Sequence, residues 1–171
     1  MSDSIIAPSH IWHAELELKH VQLELEHRRC QHMRHFIDQY YCYRKGFVKS
    51  SGVADWDAPI WKGVVSVAAR REEGNRKLVV KEHAVPIKEI TNLLLQLNNP
   101  SLDDIAKVLK QFTILATITQ PEDATLRRLK LTSRMPDGFQ EQGHRYFQDV
   151  LARYKHAGIM LEDVDLEALL A

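Results

Sequence analysis

Between Ser9 and Gly46 the chain carries neither proline nor glycine, the two residues that most readily end a helix. Within that stretch and just past it, Ile11, Leu18, Val21, Leu25, Met33, Phe36, Ile37, Tyr40 and Phe47 recur at three- and four-residue steps and their sums. The stripe predicts a single helix over residues 10 to about 48, capped by Ser9 after Pro8 and closed off by Ser50-Ser51-Gly52. A helix of that length must either project or pair, and this is the strongest constraint on the fold.

Past residue 52 the pattern becomes mixed. Asp55 to Trp61 reads as a turn that opens a helix through about Glu72, with Trp56 and Trp61 as packing anchors. Gly74-Asn75 fits a tight turn before a strand at 77–81. Helical spacing returns after Pro86, where Ile90, Leu93, Leu94 and Leu97 share a face. It resumes at Ser101, whose hydroxyl and Asp104 form a capping pair for a helix ending near Lys110. Phe112 to Ile118 is apolar and β-branched enough for a second buried strand, and Thr119-Gln120-Pro121-Glu122-Asp123 starts another helix. Met135 to Gly138 is a turn, 143–156 an amphipathic helix, and 163–170 a short acidic tail helix. The expectation is an α+β, predominantly helical fold. It divides into a helical segment over 1–52, an α+β core over 53–160 and an acidic helix over 161–171.

At 171 residues and 44% hydrophobic content the chain can build one packed core. Its 23 Lys and Arg balance 23 Asp and Glu, which excludes a global field steering it to nucleic acid and leaves only local patches for that purpose. Cys30 and Cys42 sit too far apart on the expected helix to bridge, which points to a reducing compartment. With no leader-like amino terminus and no run of eighteen apolar residues, a cytoplasmic protein without a membrane segment is expected.

Chemistry concentrates at Glu82-His83-Ala84-Val85-Pro86, at the end of the first expected strand. An acid joined to a histidine there can set a metal ligand beside a general base. This order, an acidic residue, a histidine, an apolar residue and a proline, resembles the HNH or His-Me finger nucleases, built from two strands and a helix around one divalent cation. Thr119 to Asp123 resembles the strand-to-helix junction from which that family draws a further ligand. The resemblance covers roughly residues 77–130. It implies His83 as the base, Glu82 and Asp123 as ligands to Mg²⁺ or Mn²⁺, Asn98 or Asn99 as the amide orienting the base, and Arg127, one turn past Asp123, as a phosphate contact. The chain departs from the family in the long, two-helix connection between His83 and Asp123, which contains both asparagines. The implied activity is hydrolysis of phosphodiesters in DNA, in preference to RNA, and by analogy membership of a prophage or phage-defence assembly.

The same residues have a purely structural account, in which Pro86 begins a helix and Glu122 and Asp123 complement a helix dipole. In that case the chain is a protein-interaction subunit of the immunity, antitoxin or inhibitor type, or a nucleic-acid-binding regulator. His13, Glu17, His20, Glu24 and His27 share a helix face that suits either zinc or ordinary i,i+4 pairing, with pairing favoured because the histidines are two turns apart. Arg28, Arg29, Arg34, Arg44, Lys45 and Lys49 interleave with Tyr40, Tyr41 and Tyr43, a pattern for nucleic acid or for core tyrosines with exposed cations. The long helix or the acidic tail offers a protein-docking face, although a short last helix more commonly packs on its own domain.

Overall fold

The computed structural model describes residues 10–170, so the cap expected at Ser9 lies outside the described residues. The long helix is broken. Helix α1 (His10–Glu26) ends in a bend, passes through a 3₁₀ turn at Cys30–His32, and turns back as α2 (Met33–Lys45). The two pack as an antiparallel hairpin that buries Ala14, Leu18, Val21 and Leu25 against Met33, Ile37 and Tyr40. No proline or glycine makes this bend. Arg28 takes a left-handed φ of 50°, and the backbone N–H groups of Arg28 and Arg29 close onto the Leu25 and Glu24 carbonyls. Burying both apolar faces outweighs one strained residue, which is why the breaker-free sequence did not reveal the bend. Gly46, at φ 71°, ends α2 with a left-handed cap.

Residues 55–63 form turns rather than the expected helix, and lead into β1 (Val64–Val65) and the one-turn α3 (Val67–Arg71). Strand β2 (Val79–His83) starts two residues later than the spacing suggested. It is followed by α4 (Ile87–Leu95), α5 (Leu102–Phe112), β3 (Leu115–Thr119) and α6 (Gln120–Arg128). The cap expected at Ser101 forms. Ser101 and Asp104 make a capping box on α5, and Thr119 and Glu122 make one on α6. Of the helix expected at 143–156 only α7 (Ala152–Ala157) is helical, and the tail forms α8 (Leu166–Leu170). The architecture is α+β and predominantly helical, with eight α-helices and one three-stranded sheet among the described residues. No described helix is long and apolar enough to cross a membrane.

Strand β3 is central, parallel to β1 and antiparallel to β2. The β2 register sets Glu82 opposite Ala116 and His83 opposite Leu115. Because Ala84 N–H bonds the Ile114 carbonyl, even-numbered residues of β2 bond to β3, and residues 79, 81 and 83 turn their backbone groups to the open edge. One continuous buried cluster joins the α1–α2 hairpin, the sheet, α4 to α7 and, at its margin, Leu166, Leu169 and Leu170 of the tail.

Candidate functional site: a cleft at the open edge of β2

A cleft of about 330 Å³ opens where β2 ends, bounded by Lys81, Glu82, His83, Pro86, Ile87, Lys88, Arg34 of α2, Asp123 of α6, and Thr132 and Ser133 beyond it. The strand-to-helix junctions create it. Thr119 and Glu122 are used in capping α6, and Glu122 also accepts from the Ser66 hydroxyl at 2.6 Å, so Asp123 is the first-turn carboxylate left for the cleft. Pro86 starts α4 directly after His83-Ala84-Val85 and forms part of the cleft wall.

Alternation along a strand sends neighbouring side chains to opposite faces. Glu82 lies on the face toward α6 and α7, where its Oε1 accepts the Tyr154 hydroxyl at 2.7 Å and meets Arg153 Nη2 at 2.9 Å. Arg153 is 1% exposed. Its guanidinium also donates to the carbonyls of His83, Ala84 and Leu131, at 2.6, 3.0 and 2.6 Å, fixing the backbone that carries the acid and the imidazole. Burial, reinforced by the Glu82 carboxylate, holds the Tyr154 phenol protonated well above its ordinary range, so it remains a donor.

His83 lies on the other face with Lys81. Its ring stacks on Trp56 with centroids 5.7 Å apart, and its Nε2 comes within 2.8 Å of Asp38 Oδ1 on α2. The side chains are 4% and 15% exposed. Neither atom has a formed hydrogen bond, so the two are at ion-pair distance without one. Lys81 also folds over Trp56, its Nζ 3.6 Å from the indole centroid and donating to the Trp56 carbonyl. Burial brings this lysine down to about 8, against a partial counter-effect from Asp57, Cys42 and Asp38.

Of the residues singled out by sequence, Glu82, His83 and Asp123 border one cleft, with the acid and the imidazole approaching it from opposite faces of an edge strand. Arg127 is bound to Asp123 at 3.1 Å and stays 61% exposed, close to the cleft but outside its lining. Asn98 and Asn99 are elsewhere. They line a separate hollow of about 440 Å³ with Gln22, Glu26 and Arg28, so contact with the base falls to Asp38. The histidine-rich face of α1 turns out to be largely a packing seam. His13 stacks on Tyr43, His20 bonds Glu17 at 2.9 Å and contacts Phe36, and Glu24 is buried. The tyrosines of the basic segment are core, and of its cations only Arg34 reaches the cleft.

Among the described residues no three His, Cys, Asp or Glu side chains gather closely enough to hold an ion by themselves. Two carboxylates at a cleft with three cations fit a different requirement. Mg²⁺ commonly takes one or two protein carboxylates and completes its shell with water and phosphate oxygens. No family model, curated protein or solved structure matches this chain.

Proposed function

We propose that this cleft hydrolyses phosphodiester bonds in nucleic acid with the help of a divalent cation, DNA being the favoured substrate. The observation that carries the reading is the convergence of Glu82, His83 and Asp123, from segments some forty residues apart in sequence, on one cleft that also presents Arg34, Lys81 and Lys88. The cations suit a phosphate backbone, and a mixture of cations with carboxylates suits a phosphate that brings its own metal. Glu82 and Asp123 would hold Mg²⁺ or Mn²⁺, which when bound neutralises charge on the phosphate. His83 takes a proton from water, the water oxygen bonds to phosphorus, and the bond to the leaving sugar oxygen breaks as that oxygen takes a proton from solvent. Arg34 and Lys88 orient the phosphate, and Arg153 and Tyr154 hold Glu82 in place.

The test is plasmid and single-stranded DNA and RNA cleavage with Mg²⁺, Mn²⁺ or EDTA. Metal-dependent cleavage that falls at least about a hundredfold in His83→Ala, and comparably in Asp123→Asn, is the expected result. Cleavage that survives His83→Ala unchanged, or does not occur with any metal, overturns it. Salt-sensitive binding without cutting would then favour a nucleic-acid-binding regulator.

A further inference from the structure

We infer that Asp38 is the positioning residue of His83, and that α2 is therefore half of the site rather than a support for it. The inference rests on the hydrolytic reading above for its consequence, but its geometry stands apart from that reading. Asp38 and His83 are forty-five residues apart in sequence, yet Oδ1 and Nε2 approach to 2.8 Å in a region where each side chain is largely out of solvent. Each atom lacks any formed hydrogen bond. A buried carboxylate oxygen and a buried ring nitrogen each require a partner, and each is the polar group at hand for the other.

The two atoms already lie at hydrogen-bond distance. Catalytic hydrogen bonds in ligand-free proteins are often misaligned and tighten when substrate arrives. The carboxylate accepts only, so the ring must present N–H at Nε2, and Nδ1 is left as the nitrogen that can accept a proton. Trp56 stacks on the ring, with centroids 5.7 Å apart. Lys81, two residues before His83, lies on the same face, and its Nζ is engaged by Trp56. Arg34, one helical turn before Asp38, reaches the same cleft, so one face of α2 carries both a phosphate-binding cation and the residue that sets the base.

Asp38→Asn tests this because it keeps shape while replacing a pure acceptor by an amide that can donate to a bare Nε2. Two-bond ¹⁵N–¹H correlation spectra of ring-labelled protein should show the His83 proton on Nε2 in the wild type and transferred to Nδ1 in Asp38→Asn. A wild-type ring with bare Nε2 overturns the proposal whether or not the protein cuts DNA. Where metal-dependent cleavage is present, Asp38→Asn should lower kcat at least a hundredfold with KM changed less than about threefold. It should add nothing in the His83→Ala background. Wild-type turnover in Asp38→Asn, or an equal further loss on top of His83→Ala, counts against Asp38 alone. Insensitivity to His83→Ala counts against the hydrolytic reading instead.

Discussion

Arg153 shows how much one side chain organises. Its guanidinium satisfies three backbone carbonyls and the Glu82 carboxylate from a position almost wholly out of solvent. Arg153→Met leaves the three carbonyls without this donor and Glu82 with the Tyr154 hydroxyl alone, and a loss of about 3–5 kcal/mol in urea unfolding is expected, the range for breaking a buried ion pair from one side. Tyr154→Phe removes a single bond to the same carboxylate and should cost about 1.5–3 kcal/mol, measured the same way. Lys81 gives the pH signature. Its protonated form is disfavoured in the fold, at about 8 against an ordinary 10.5, so the native state binds fewer protons than the unfolded chain between those values and stability rises with pH across them. Buried Cys42, pushed up from 9 to about 12, acts in the opposite sense once the unfolded thiol ionises, which leaves pH 8 to 9 as the window where Lys81 dominates. Stability of the wild type should climb through that window, and Lys81→Met should flatten the climb.

Elements here are shaped by close approaches that a residue pattern only partly encodes. The α1–α2 bend places Arg28 at positive φ, a conformation that costs a side chain with Cβ about 1–2 kcal/mol. Arg28→Gly should therefore raise the midpoint of thermal unfolding or leave it unchanged, while Arg28→Val should lower it. Gly63 brings the chain into β1 so close to β3 that an added Cβ would overlap the Leu115 carbonyl oxygen. Gly63→Ala must push β1 from the central strand, and a loss of about 1–3 kcal/mol is expected in denaturant titration. The capping boxes at Ser101 and Thr119 are local; the pair at Ser101 and Asp104 was legible in sequence because hydroxyl, spacing and carboxylate lie within four residues, whereas at Thr119 the helix start was legible and the box was not. Residues 143–151 carried a helical apolar pattern yet form turns. Tyr146, Val150 and Leu151 are still buried there while Phe147, expected inward with them, is exposed, so burial was read in part and local conformation was not.

At the scale of the whole molecule, the three segments distinguishable in sequence contribute to one buried cluster. The tail closes it, with Leu166, Leu169 and Leu170 against the core and Arg44 donating to the Leu170 carbonyl at 3.3 Å. A single cooperative transition is expected, with tryptophan fluorescence and far-ultraviolet circular dichroism giving coincident urea curves. Separate transitions for the α1–α2 hairpin and the rest would contradict this packing. Although 23 cations and 23 acids cancel overall, the cleft gathers Arg34, Lys81 and Lys88, so its electrostatics are a product of folding and not of composition.

What the amino-acid order determined by itself is what short-range physics can fix. It set the α+β class, the apolar runs that became β2 and β3, the capped start of α5, the start of α6, and the placing of Glu82, His83 and Asp123 at strand and helix ends. These depend on propensities and hydrogen bonds within a few residues. The tertiary structure decided the rest. It folded one long helical pattern into a hairpin, sent Asn98 and Asn99 to another hollow, and brought Asp38, Trp56, Arg153 and Tyr154 to β2 from segments with no sequence signal linking them to it. Such pairings arise because buried polar groups must find partners wherever the packed core delivers them, and the chain's local pattern does not record that address.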